Sequence, residues 1–281
     1  MSQSTGLISA PTKSTKRRGD LSRAWAAPAR PGRWGLLLKS VLPITAFLLW
    51  VAATELGWVR RVLLPKPVDV AEVLVRDWPI LLDGFFVSLQ TLTIGMGLGS
   101  LVGIGIGLAI GYSHVARSIF EFPLDLLRPV PVLALIPLFV LWFGIGTLPQ
   151  VLLIAVGVVL LLSLSTIESI RNVPETYIRA ARTLGASRSM VYRTVVIPAI
   201  VPPMVASLRY AVAISWGLLV AAEYTGSRNG LGYQMIARQQ YLDTAGILAI
   251  VFVFSVLAIV TDRIMRVGLR HMTRWQATNS E

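Results

Sequence analysis

Residues 85–112 read FFVSLQTLTIGMGLGSLVGIGIGLAIGY, a run without one charged side chain. A helix needs about 20 predominantly apolar residues to cross the hydrocarbon core of a bilayer, so this run is long enough to span it. Within it Gly95, Gly99, Gly103, Gly107 and Gly111 recur at a strict spacing of four, with Gly97 and Gly105 on an adjacent strip. That spacing lines the five glycines along one slowly drifting helix face, where a neighbouring backbone approaches closely. Glycine weakens a helix, so such a run calls for a packing reason. Two readings stay open: ordinary tight packing within one subunit, or a helix that slides against its neighbours during a conformational cycle.

Five further stretches qualify as spans: Leu36–Trp58, Phe122–Phe143, Val151–Ile167, Val201–Tyr224 and Thr244–Ile264. The chain is therefore expected to be an all-α membrane protein of about six transmembrane helices. Composition agrees, since 54% of its 281 residues are hydrophobic and only 14% are charged, where a soluble domain carries about 25%. With an inward N-terminus, about three in four of the 26 Lys and Arg fall on inner segments, which places both termini in the cytoplasm. The net charge of +12 sits in a basic N-terminal tail and between apolar stretches. No basic face interleaved with aromatics appears, so no nucleic-acid partner is expected. There is no Cys, which excludes disulfides, thiolate metal sites and iron–sulfur clusters. His114 and His271 are too few for the paired axial ligands of a membrane cytochrome, and no metal site is expected.

Residues 1–34 are polar and read as a disordered basic tail that holds the topology. Arg17-Arg18 precedes the first apolar run by too much to be an export signal. The third stretch carries Pro123, Pro129, Pro131 and Pro137. Each proline removes a backbone donor, so this stretch cannot be one regular helix. Irregular backbone at membrane depth is tolerated where protein or water satisfies it, which makes Pro131 and Pro137 candidates for a translocation pathway.

The longest inner loop, 168–199, is the most informative. Glu175 to Leu184 favours helix, with Tyr177, Ala181 and Leu184 on one apolar face. Gly185 ends that helix, Ser187 caps a second, and Pro198 is expected to close it. A basic, amphipathic helix–Gly–helix elbow suits a soluble partner with a matching cleft; helices lying on anionic headgroups are the alternative.

The run Ala180-Ala181-x₃-Gly185-x₉-Val195-x-Ile197-Pro198 resembles the EAA-type loop of bacterial ABC importer permeases. Arg179 stands where that pattern has glutamate, and Val195 and Ile197 stand for isoleucine and leucine. In that family the loop docks on the ATPase subunit, which implies docking roles for Arg179, Ala180, Ala181, Leu184, Gly185, Ala186, Ser187 and Pro198. The segments Leu63–Val70, Leu127–Pro131 and Leu141–Gly146 resemble permeases for nitrate, sulfonates and taurine. So do Ser215-Trp216, Ala222-Glu223, Asn229–Gly232 and Arg274-Trp275. The resemblance covers about residues 40–276 and leaves the tail outside. It implies a type I, methionine-importer-like permease fold in the inner membrane, with the core over 84–266 after a first helix and outer segment over 35–83 and before a cytoplasmic tail over 267–281. It further implies a second permease copy, two ATP-binding cassette ATPases, and an extracytoplasmic solute-binding protein. The implied cargo is a small anion, with a vitamin precursor (pyrimidine or flavin) as the alternative.

ATP is not expected on this chain, because a phosphate-cradling loop needs Gly-Lys followed by Ser or Thr. Neither Lys13, Lys16, Lys39 nor Lys66 follows a glycine. ATP and Mg would then belong to the partner ATPase, and this chain is no enzyme. Arg209, inside the fifth stretch, either snorkels, supports the loop, or attracts an anion. Ser215, Trp216 and Glu223 complete the pathway candidates, Glu223 also as a brace for the Gly226–Gly232 loop. A proton-coupled transporter would need acidic groups at mid-membrane depth, and Glu55 and Glu223 lie near the outer ends. An intramembrane enzyme would need a base beside Ser163 or Ser165, and no His lies within reach.

Overall fold

The computed structural model describes residues 33–270, with side chains from 40 to 269. Most of the tail read over 1–34, and everything from His271 on, including Arg274-Trp275, lies outside the described residues. Two compact units emerge, residues 1–56 and 57–281. The first is represented by one helix, α1 (Arg33–Glu55), with Pro43 inside it. Its described apolar part, Ser40–Glu55, is shorter than a full crossing. Thr54 Oγ1 bonds back to the carbonyls of Trp50 and Val51, both at 3.0 Å.

The second unit contains α2 (Pro67–Arg76), α3 (Trp78–Tyr112), α4 (His114–Leu127) and, after a tight turn at Val132–Leu135, α5 (Ile136–Phe143). Then follow α6 (Thr147–Arg171), α7 (Glu175–Thr183), α8 (Arg188–Val191), a widened π turn (Tyr192–Val196), α9 (Ile197–Gly226), α10 (Leu231–Gln240) and α11 (Thr244–Arg270). Among the described residues four helices are long and apolar enough to cross a membrane, and five if the bent pair α4–α5 counts as one crossing.

The glycine face of α3 packs on α6. A Cβ added at Gly95 would lie 2.9 Å from Ile154 Cβ, at Gly99 2.7 Å from Val158 Cβ, at Gly107 2.5 Å from Thr166 Cβ, and at Gly111 2.4 Å from Ile170 Cδ1. Each glycine meets the residue 59 positions later, so α3 and α6 run parallel and in register. Gly103 fits the series, with the Val159 carbonyl oxygen at 2.9 Å and Leu162 Cβ at 3.3 Å. A Cβ at Gly97 or Gly105 would meet nothing within 4 Å, so those two lie off the seam. Parallel neighbours require one return crossing between them, and α4–α5 supplies it.

That return is broken, as its prolines require. α4 and α5 meet at 89°, with Pro123 inside α4 and Pro137 in the first turn of α5. An antiparallel hairpin about Ser113 would bring Leu124 level with Val102. Leu124 instead shares a buried cluster with Ile110 and Ile167, one turn from the chain reversal, so α4 runs across the bundle rather than along it. The stretch read as Phe122–Phe143 is thus the end of a lateral helix, a break, and a short rising helix.

α6 is the central helix, with half of its most apolar window buried against 22–28% for α3, α9 and α11. Leu81, Leu92, Ile154, Val158, Leu162, Ala211, Leu219 and Ile250 form the main core. The fifth stretch differs from its reading. Pro198 does not close a helix: α8, the π turn and α9 form one continuous span over Arg188–Gly226. The widened turn absorbs the donor that Pro198 lacks, because the local bonding register has already slipped by one residue.

Candidate functional site

The elbow stands clear of the bundle. No residue of α7 is buried, and Leu184 at its tip is 88% exposed, with Tyr177 and Met190 also exposed. Gly185 adopts φ +85°, a left-handed conformation that costs residues with a Cβ about 1 kcal/mol or more. Its N–H bonds the Arg182 carbonyl at 2.9 Å, and the Ala186 N–H bonds the Ala181 carbonyl at 3.1 Å. This is a Schellman closure, which satisfies two carbonyls at the helix end. Ser187 Oγ accepts from the Met190 N–H at 3.3 Å and starts α8. Arg179 pairs with Glu175 one turn earlier at 2.7 Å, with both side chains in solvent. Ala180 lies on the same helix, and Pro198 lies beyond the π turn, at the start of α9.

What fixes the elbow to the bundle was not visible in the sequence. Tyr192 donates its hydroxyl to the Leu108 carbonyl at 2.6 Å, and Arg188 donates to the Tyr112 carbonyl. Tyr112 is the last residue of α3 and its carbonyl has no helical donor of its own, while Leu108 lies one turn before it. The Arg188 guanidinium also lies 5.4 Å from the Tyr112 ring centre, and Val191 is buried below it. Two elbow side chains therefore grip the end of the helix whose glycines lie on α6. The signal was an Arg and a Tyr four residues apart, uninformative without a partner 76 to 84 residues away.

The pathway candidates divide between the turn that leads into α5 and the length of α9. Pro131 and Pro137 flank the tight turn before α5. Ser215 is buried and bonds the Ala211 carbonyl at 2.7 Å. Trp216 is buried edge-on to Phe254. Arg209 pairs with Asp262 of α11 at 2.8 Å, and Asp262 also holds Arg266. The sixth stretch thus carries an acid that its apolar reading passed over, and the Arg209 charge is balanced locally.

Glu223 is 1% exposed. Its Oε1 accepts from Ser88 Oγ at 2.7 Å and its Oε2 from the Gly232 N–H at 2.8 Å, while Ser88 Oγ accepts from the Leu231 N–H at 3.0 Å. Three elements, α3, α9 and the start of α10, meet on this one carboxyl. Gly230 and Gly232 pack directly on it, since a Cβ there would lie 2.5 Å and 2.7 Å from Glu223 atoms. At the same end Arg238 bridges Asp77 at 2.6 Å and Asp243 at 2.7 Å.

The hydrogen bonds from Arg76 and then Arg238 hold the Asp77 carboxyl down at about 2. A depressed carboxylate stabilises the fold fully above its unfolded value of about 3.9, and that contribution fades as pH falls through 3.9 towards 2. The thermal midpoint of the wild type, followed by tryptophan fluorescence in detergent, is expected to exceed that of Asp77→Asn at neutral pH. The gap should shrink on acidification below about pH 4. A gap that is constant with pH would show that Asp77 acts only by shape.

No group of three or more His, Cys, Asp or Glu suited to a metal occurs among the described residues. Residues 99–274 match the family described as binding-protein-dependent transport system inner membrane component. The chain is 33% identical over 254 residues to the taurine transport system permease protein TauC of Escherichia coli, covering 86% of this chain and 92% of that protein. It is 33% identical over 261 residues to the putative aliphatic sulfonates transport permease protein SsuC of Bacillus subtilis, covering 91% and 94%. Among solved structures it resembles a chain of the inward-facing MetNI methionine ABC transporter, with a TM-score of 0.59 at 17% identity over 70% of this chain and 98% of that one. A chain of an amino acid ABC transporter gives 0.53 at 20% identity, over 72% and 96%. The chain therefore belongs to the binding-protein-dependent transport system inner membrane components, the multi-pass permeases of ABC importers.

Proposed function

We propose that this permease carries a small sulfonate-type anion inward, driven by a separate ATPase that docks on the Gly185 elbow. The observation that carries the reading is the elbow itself: an exposed apolar tip on a rigid Schellman bend, bolted to the end of α3. The excess of Lys and Arg on this side supports a cytoplasmic elbow. ATPase closure would push the tip, and Tyr192 and Arg188 would pass the displacement to α3. The tight seam favours α3 and α6 moving as one body, because backbone in contact with Cα atoms leaves no slack to slide. Names of relatives support the cargo class. A second copy of the chain would complete the pathway, and an external binding protein would deliver the solute.

The test is co-purification of the solubilised permease with its ATPase. Nothing lies within 4 Å of a Cβ at Gly185, so a substitution there acts through the backbone alone. Gly185→Val, which resists positive φ, is expected to lose most of the bound ATPase, and Gly185→Asn, which tolerates it, to keep it. Equal retention by both variants would remove the elbow from the docking site.

A further inference from the structure

Beneath α5 lies a buried carboxamide without a partner. Gln150, in the first turn of α6, is 1% exposed, and neither its Oε1 nor its Nε2 has a hydrogen bond among the described residues. A small cavity of about 10 Å³ lies against it, walled by Ile136, Phe139 and Val140 of α5, Pro149 and Leu153 of α6, and Ala222 of α9. None of those side chains carries a polar atom. An amide buried without partners disfavours the conformation that buries it. A space of this size is at the lower limit for one water, and a water there would find a single polar side chain, where buried waters keep about three bonds.

The helix that covers this carboxamide is held in a way that suits movement. α5 is 8 residues long, with a tight turn after Pro131 on one side and Gly144 (φ +78°) and Gly146 (φ +154°) on the other. A Cβ at either glycine would meet nothing within 4 Å, so both serve the turn and not packing. The helix reads IPLFVLWF, and among the described residues no side-chain hydrogen bond or ion pair ties it to α6 or α9. It rests on one small buried cluster, Ile136, Leu153 and Ala222, distinct from the main core. Leu141 and Trp142 on its far side are exposed. A short helix with apolar contacts and a bend at each end can lift as a rigid piece. Gln150 lies roughly 30 Å along α6 from Arg171, at the end of the bundle away from the elbow. The cavity also joins the two places where the pathway candidates fall, the turn into α5 and the α9 span.

We propose that α5 is a gate across the solute path, and that the unpartnered carboxamide of Gln150 beneath it keeps its closed position shallow. Lifting α5 gives the carboxamide its missing partners, first water and then solute. One acceptor and two donors without a charge serve an anion or a zwitterion and do not retain it, as a path requires. The gate depends on neither the cargo nor the ATPase docking proposed above.

The chain contains no Cys, so one cysteine placed beneath α5 reports its opening. Ala222→Cys is introduced into the full permease in lipid nanodiscs, without ATPase or solute, so a failure of elbow docking leaves the readout untouched. Its reaction with the anionic thiol reagent 2-sulfonatoethyl methanethiosulfonate is timed. Where reclosing is fast, the rate follows the open fraction. Adding Gln150→Met, similar in length and apolar, is expected to slow labelling roughly tenfold, the equilibrium equivalent of relieving one orphaned amide in the closed state. The same substitution should raise the thermal midpoint. A midpoint that does not rise, or labelling that does not slow, overturns the proposal, because the carboxamide then has a partner under α5, a trapped water included. Should the double variant not stay monodisperse, the Gln150 background decides. There Ala222→Cys should label roughly tenfold faster or more than Ala211→Cys, which lies in the main core. Equal protection of the two cysteines means that α5 does not lift, and overturns the proposal as well.

Discussion

Glu223→Ala is expected to cost about 3–5 kcal/mol, enough to leave little folded permease in detergent. Removing the carboxyl strands the Ser88 hydroxyl and the Gly232 N–H in a buried site, at about 1–3 kcal/mol each, and leaves a cavity besides. Glu223→Gln should be milder, because its amide oxygen accepts one of the two bonds and its NH₂ cannot accept the other. Ser88→Ala in the Glu223→Ala background should cost less than in the wild type, since the hydroxyl has already lost its acceptor and only the bond it receives from the Leu231 N–H remains to be broken. A double-mutant cycle read by thermal unfolding is expected to show coupling of about 1–2 kcal/mol. Additive losses would mean that the two residues stabilise separate elements. The element at stake is α10, held to α3 and α9 through this carboxyl, so partial variants should retain assembly and lose transport.

The second large effect concerns the glycine seam and has a sign that reverses along one helix. Gly103→Ala drives a Cβ to 2.9 Å from the Val159 carbonyl oxygen and 3.0 Å from its Cα. Backbone cannot rotate away as a side chain can, so α3 and α6 must separate, at about 1–3 kcal/mol. Gly97→Ala and Gly105→Ala meet open space, and each should instead stabilise by about 0.5–1 kcal/mol through helix propensity. Thermal midpoints of the three variants in one detergent check the pattern. If Gly103→Ala proves as stable as Gly97→Ala, the seam is looser than its distances, and sliding of α3 on α6 returns as a reading.

Periodicity carried much of this architecture. Spacing of four announced the α3 face, clustered prolines announced the break, and Gly185 with Ser187 announced the elbow, because each is a local rule acting over one or two turns. What escaped reading depends on distant partners. Nothing near Arg209 points to Asp262, 53 residues on, and nothing near Glu223 points to Ser88, 135 residues away. The continuity of α9 escaped for a different reason. Pro198 is a helix breaker by local rule, and the π turn before it is chosen by packing, with Tyr192 and Val196 held against the bundle. The direction of α4 was equally hidden, since composition fixes how long a helix is and not which way it points.

The constant offset of 59 between the α3 glycines and their α6 partners has a consequence for how such chains tolerate insertions. One residue added between Gly99 and Gly103 would rotate everything beyond it by about 100°, turning three glycines away from the seam and side chains into it. The same residue added between α4 and α5 changes the offset and leaves both faces intact. Length variation, and the joints of functional chimaeras with other permeases, should therefore gather at 128–131 and 144–146, while α3 and α6 are exchanged only together.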